Sequence, residues 1–176
     1  MSAVAHPRRD DGWGRLARAI VVCVLLTAVV VVITPRRTSA PGPMVDYRAD
    51  AARLRAAAAF PAYAPVGVPR AWWPVQSRLS GVGAPPLAWS LDYVLPGGAH
   101  AALEESDEPY ATFASRMANV AAVSGAQRIG RTTWERRFRA DKDQRSLVRR
   151  SGPATLVVTG TASWSDLTVL ARSLRT

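Results

Sequence analysis

The segment Arg131–Arg150, RTTWERRFRADKDQRSLVRR, contains eight cationic residues and three acidic residues. Guanidinium groups bind phosphates and carboxylates through paired N–H donors, so a dense run of them is suited to an anionic partner. We identify four candidate contacts for such a partner: Arg137, Arg139, Arg149 and Arg150. The simpler interpretation is a solvated basic face with no partner, because charge runs are usually exposed to water.

Residues that could support catalysis or metal binding are sparse. The single cysteine is Cys23, and the two histidines, His6 and His100, are far apart in the sequence. No Cys/His spacing typical of a metal site is present, and no Gly-x-Ser-x-Gly motif supplies a nucleophile. The sequence therefore predicts no catalytic residue, no metal site and no cofactor, and a protein that is not an enzyme.

An acidic cluster precedes one of the predicted helices, and its members are Glu104, Glu105, Asp107 and Glu108. We interpret it as the solvated end of a strand whose charges favour the positive end of the following helix. The alternative is a carboxylate pair of the glycosidase type, which would make the protein an envelope-glycan hydrolase or transferase.

A membrane anchor is predicted from the apolar run AIVVCVLLTAVVVVIT, residues 19–34. At about 1.5 Å per residue it spans roughly 24 Å as a helix, close to the thickness of a bilayer's hydrocarbon core. Pro41 follows the only cleavage-like sequence, Thr38–Ala40, which favours an uncleaved anchor over a signal peptide. Four arginines precede the run and four follow within twenty residues, so charge alone does not set the orientation.

The rest of the chain divides into a proline-rich spacer, residues 35–45, and one domain, residues 46–176. In that domain we predict a helix over 47–59, a strand from Val75, and a hairpin across Pro96–Gly98. A helix follows, with Pro109 in its first turn and its end at Ser124–Gly125.

The second half repeats this order, with hairpins around Gly130 and Ser151–Pro153 and a last helix capped by Ser163. The fold class is therefore α+β, an antiparallel sheet with helices packed on it in two strand–hairpin–helix halves. Most of the domain's tryptophans are expected in the core, and Trp72–Trp73 is the pair expected to be exposed.

Several of these stretches together resemble a family of actinobacterial membrane-anchored proteins, domain of unknown function 4245. They are the apolar run, the spacer, FPAYAPVGVP with Trp73, LDYVLPGG, Trp134, LVVTGTAS and LTVLARSL. The resemblance covers residues 19–174 and implies one N-terminal span, an extracytoplasmic α+β domain and no assigned activity.

These observations predict a single-pass membrane protein with a short cytoplasmic tail, residues 1–18, and a C-terminal domain outside the cytoplasm. We expect that domain to be a non-enzymatic binding module of the cell envelope. Its partner would be an anionic lipid, an envelope polymer or a protein. A nucleic acid is not expected outside the cell, and would become a candidate only if the domain faced the cytosol.

Overall fold

Residues 43–176, which a computed structural model describes, form three α-helices and nine β-strands. The helices are α1 (Arg48–Ala57), α2 (Tyr110–Met117) and α3 (Trp164–Ser173). The strands are β1 (Ala64–Pro65), β2 (Trp73–Ser80), β3 (Ala88–Val94), β4 (His100–Ser106), β5 (Ala122–Ile129), β6 (Thr132–Arg139), β7 (Gln144–Ser151), β8 (Ala154–Gly160) and β9 (Leu174–Arg175). The predicted tail 1–18 and anchor 19–34 lie outside the described residues, as does most of the spacer.

Seven of the strands form one antiparallel sheet in the order β2-β3-β4-β8-β7-β6-β5, while β1 and β9 pair separately. The predicted hairpin across Pro96–Gly98 joins β3 to β4. Gly97 and Gly98 have φ of 83° and 82° there, a conformation that glycine adopts without steric cost. The predicted hairpins between β5 and β6 and between β7 and β8 are also present, so the α+β class is confirmed.

The main core lies on the face of the sheet that α1 and α3 cover. Leu54 of α1 and Leu167 and Leu170 of α3 are buried against it, with Trp89 and Trp134 from the strands. The predicted cap of α3 is confirmed, because the Ser163 hydroxyl accepts a hydrogen bond from the Asp166 backbone N–H at 3.2 Å. A smaller core on the opposite face joins α2 to the centre of the sheet.

Strand β8 lies at the centre of the sheet and is covered on both faces. Leu156 and Val158 belong to the main core, and Val157 packs in the smaller core with Phe113 of α2. A strand buried on both faces has a nearly continuous apolar sequence, and this explains why ATLVVT lacks the alternation of an ordinary surface strand.

Two details differ from the sequence predictions. Helix α2 ends at Met117, and Ser124 and Gly125 lie in β5 at a shift in register. The helix ends early because Asn119 and Val120 have φ of 51° and 57°, which turns the chain out of the right-handed helical path.

The expected exposure of Trp72–Trp73 is also wrong. Trp72 is buried at 6% exposure and Trp73 is half-buried. Trp72 lies at the end of the proline-rich segment that precedes β2, and its indole packs edge-on against the ring of Tyr93 in β3. That contact takes Trp72 out of solvent although the surrounding sequence is irregular.

Candidate functional site

The four arginines proposed as partner contacts do not share one surface. Register places Arg137 and Arg139 on one face of β6, and Arg150 of β7 on the same face. Arg149 lies on the opposite face, which the main core occupies. For Arg149 the interpretation as part of a solvated basic face is therefore wrong, because its side chain is half-buried.

Each of these arginines also has a partner within the domain. Arg137 pairs with the Glu135 carboxylate at 2.5 Å, and Arg139 pairs with Asp141 at 2.9 Å. The guanidinium of Arg150 lies 4.3 Å from the centre of the Tyr110 ring. Such contacts leave less free charge for a partner than the sequence suggests, and contact of the four with an anionic partner stays a prediction.

Arg149 belongs to a cluster of polar side chains next to the segment between α1 and β1. Its guanidinium lies 4.8 Å from the ring centre of Tyr63 and 4.9 Å from that of Trp134. The Tyr63 backbone N–H donates to Glu105 Oε2 at 3.0 Å, and the Ser151 hydroxyl donates to the Tyr63 hydroxyl. Tyr63 thus joins a buried acid to a half-buried cation.

Glu105 itself is fully buried, and its Oε1 has no hydrogen-bond partner among residues 43–176. In the register, Leu156 stands between Glu105 and Arg149, so their backbones are two strand spacings apart, about 10 Å, and the two side chains form no ion pair. Burial therefore dominates and raises the pKa of Glu105 to about 8, although the Tyr63 N–H and then Arg149 oppose the shift.

The interpretation of Glu104–Glu108 as one solvated acidic cluster is wrong. Glu105 enters the main core, while Glu104 lies on the other face, where burial and the nearby Asp92 raise its pKa to about 8. Asp107 accepts a hydrogen bond from the Leu87 backbone N–H, and Glu108 pairs with Arg116. The alternation of Ala101, Leu103 and Glu105 in β4 was the signal that placed Glu105 inward.

Glu104 lines an open groove of about 310 Å³ between the outer strands and α2. Glu108 and Arg116 also line it, together with Arg78 and Phe113. No group of acids, histidines or cysteines suited to a metal ion occurs in the described part of the chain. His100, the one histidine in that part, begins β4 and is exposed.

Residues 43–176 also form a cleft of about 560 Å³ that the sequence did not indicate. We call it the aromatic cleft; its walls are Met44, Val45, Asp46, Tyr47, Arg48, Val68, Pro69, Arg70, Trp72, Pro74 and Tyr93. Tyr93 contacts both other rings edge-on, with its ring centre 6.3 Å from that of Tyr47 and 6.1 Å from that of Trp72. These aromatic residues come from three separate segments, which only the folded sheet brings together.

Polar groups of the aromatic cleft are few and separated. The Tyr93 residue is fully buried, and its hydroxyl lies near Tyr47 without a well-formed hydrogen bond, while burial raises its pKa. The exposed side chains of Arg48 and Arg70 have no ion-pair partner within residues 43–176. One oxygen of the exposed Asp46 carboxylate accepts a hydrogen bond from the Arg48 backbone N–H at 3.0 Å.

A family model described as "Protein of unknown function (DUF4245)" matches residues 8–174. The chain belongs to this family. Searches of curated proteins and of solved structures found no significant match. The DUF4245 match includes the aromatic cleft, the buried Glu105 and the arginine segment. Within the described range 43–176, no helix has both the length and the apolar character needed to cross a membrane.

Proposed function

We propose that this DUF4245 protein is a membrane-tethered binding domain of the cell envelope, not an enzyme, and that the aromatic cleft is its ligand site. The observation that carries this proposal is the cleft's composition. Its volume of about 560 Å³ is in the range of small-molecule sites, which are mostly apolar with a few polar groups. Its walls contain no serine, cysteine or histidine, and Asp46 supplies its one carboxylate.

The tethering rests on sequence. The apolar run ends at Thr34, and the aromatic cleft begins at Met44, ten residues later. Ten extended residues reach at most about 35 Å, so the tether between an anchored run and the cleft would be short. Alkaline phosphatase fused after Thr176 should be active if the domain lies outside the cytoplasm. An inactive fusion, with the domain protected from protease in spheroplasts, would place it in the cytosol.

Binding at the cleft is tested by photo-crosslinking with the full chain in its native membrane. The crosslinking residue p-benzoylphenylalanine replaces Met44, which is 58% exposed on the cleft wall, or Val82, which is 49% exposed in the β2–β3 loop. We expect defined adducts from position 44 and not from position 82. Equal labelling from both positions, or none from either, would refute the cleft as the ligand site.

A second candidate function is glycan hydrolysis or transfer in the groove lined by Glu104. The favouring observation is that Glu104, and also Asp92 beside it, have raised pKa values, as an acid catalyst requires. Loss of an envelope-glycan activity in Glu104→Gln, with cleft crosslinking from position 44 unchanged, would favour this candidate over the binding domain.

A further inference from the structure

The aromatic cleft has two kinds of surface that together select one kind of ligand. Trp72, Tyr93, Val68 and Pro69 form apolar and aromatic walls, while Arg48 and Arg70 carry positive charge. Two arginines against the single carboxylate of Asp46 leave a net positive side-chain charge for a ligand. A ligand that satisfies both surfaces has an anionic group attached to an apolar body.

Two further observations narrow the position of that anionic group. Arg48 is the first residue of α1, a ten-residue helix whose amino end carries the positive end of its dipole. Tyr93 lines the cleft, and its covered hydroxyl lies near Tyr47 without a well-formed hydrogen bond, so this hydroxyl would gain by acquiring a partner. A ligand whose polar group reaches from the arginines towards Tyr93 would supply one.

We propose that the aromatic cleft binds a single anionic phospholipid of the adjacent bilayer. The phosphate-bearing headgroup lies against Arg48 and Arg70, and the first part of one acyl chain lies against Trp72 and Val68. We assign the phospholipid to the bilayer because the cleft begins ten residues after the apolar run 19–34. This inference rests on the proposed function and names its ligand.

The first test measures affinity with the full-length protein in nanodiscs of phosphatidylcholine. Dihexanoylphosphatidylglycerol is titrated while hydrogen exchange reports protection of the backbone over residues 44–48 and 68–72. Each arginine near a phosphate contributes a factor of about five, so Arg48→Gln with Arg70→Gln should weaken binding about 25-fold. The matched control, Arg131→Gln with Arg172→Gln, removes two exposed charges elsewhere and should change binding less than about twofold.

Two other probes separate the parts of the ligand. Dihexanoylphosphatidylcholine has the same tails and no net charge, and should bind at least about tenfold more weakly. Glycerol phosphate has the anion and no tail, and should give no protection. Equal binding of the zwitterionic lipid would overturn the charge selection, and equal binding of glycerol phosphate would make this a free-anion site. No protection by any probe would overturn the proposal.

The Tyr93→Phe variant guards against loss of binding through unfolding. It keeps the ring in the core and removes only the unpaired hydroxyl, so stability should stay level or rise. Affinity for dihexanoylphosphatidylglycerol should still fall several-fold, and unchanged affinity would remove Tyr93 from the site. If position 44 crosslinks to a protein and not to a lipid, the domain is still a binding domain, but its ligand is not a lipid. If no adduct forms, both the proposed function and the proposed ligand are refuted.

Discussion

Glu105 should make the stability of the domain fall as pH rises. A carboxyl has an ordinary pKa of 4.5, and burial raises that of Glu105 to about 8. Between those values the folded state holds a proton that the unfolded state has lost, so raising the pH destabilises the fold. The contribution of Glu105 is fully present below about pH 4.5 and is lost as pH passes about 8.

The size of the effect follows from the two pKa values. At roughly 1.4 kcal/mol per pKa unit, the gap between 4.5 and about 8 corresponds to about 5 kcal/mol. Domains of this size have unfolding free energies of roughly 5–15 kcal/mol, so the change is a large share of the total. Glu104 has a similarly raised pKa on the opposite face and steepens the same dependence, so a variant of Glu105 alone is needed.

Urea denaturation of residues 43–176, followed by tryptophan fluorescence from pH 5 to 8.5, measures this directly. Glu105→Gln keeps an oxygen that can accept from the Tyr63 N–H and cannot ionise. It should match the wild type near pH 5 and exceed it by several kcal/mol at pH 8. Asp143→Asn removes an exposed carboxylate at a left-handed position that asparagine tolerates, and should keep the wild-type slope.

The reasoning would be refuted by a wild-type stability that is flat or rises between pH 5 and 8. It would fail equally if Glu105→Gln retained the full slope, because the titrating group would then lie elsewhere. A Glu105→Gln protein that is less stable at every pH by the same amount would show that packing, and not ionisation, decides the role of this side chain.

The same denaturation assay tests three other substitutions. Arg149→Ser should cost about 1–3 kcal/mol because two aromatic rings lose their cation, whereas Arg150→Ser, which removes an exposed cation from one ring, should cost under about 1 kcal/mol. Gly81→Ala should cost about 3 kcal/mol more than Gly83→Ala, since both have φ near 80° but only at Gly81 would the new Cβ lie 2.0 Å from a backbone oxygen. Val120→Asn should stabilise by about 1 kcal/mol, because asparagine fits the φ of 57° better than a β-branched residue. Equal costs for the two arginine substitutions, equal costs for the two glycine substitutions, or a loss of stability in Val120→Asn would contradict these expectations.

The elements of the fold were predictable because their signals are local. Pro96–Gly98 marks its hairpin through the φ that glycine allows, and Ser163 marks the start of α3 through its hydroxyl. The end of α2 was not predictable, because valine at position 120 is an unfavourable residue for the left-handed turn it adopts. Local propensity there points away from the structure that the fold imposes.

The aromatic cleft was not predictable for a different reason. Tyr47 precedes α1, Trp72 ends an irregular segment, and Tyr93 lies in β3, so their meeting depends on how three elements pack. The burial of Glu105 could have been predicted from the alternation of β4, but its acidic neighbours Glu104 and Asp107 suggested that this stretch is exposed to water. In β4 the acidic composition suggested exposure to water, whereas the alternation placed Glu105 in the core, and the structure agrees with the alternation.

The arginine segment shows how net charge and available charge differ. Arg136 lies 3.9 Å from the ring centre of Trp164, Arg149 lies over two rings, and Arg145 pairs with Asp143. Because these arginines have contacts within the domain, added salt or their substitution would change the stability of the fold as well as the binding of a partner. A binding test on this segment should therefore retain Arg149, since its removal would weaken association through loss of structure. Within residues 43–176 the exposed Arg48 and Arg70 of the aromatic cleft have no ion-pair partner, so their substitution should disturb folding less than that of Arg149.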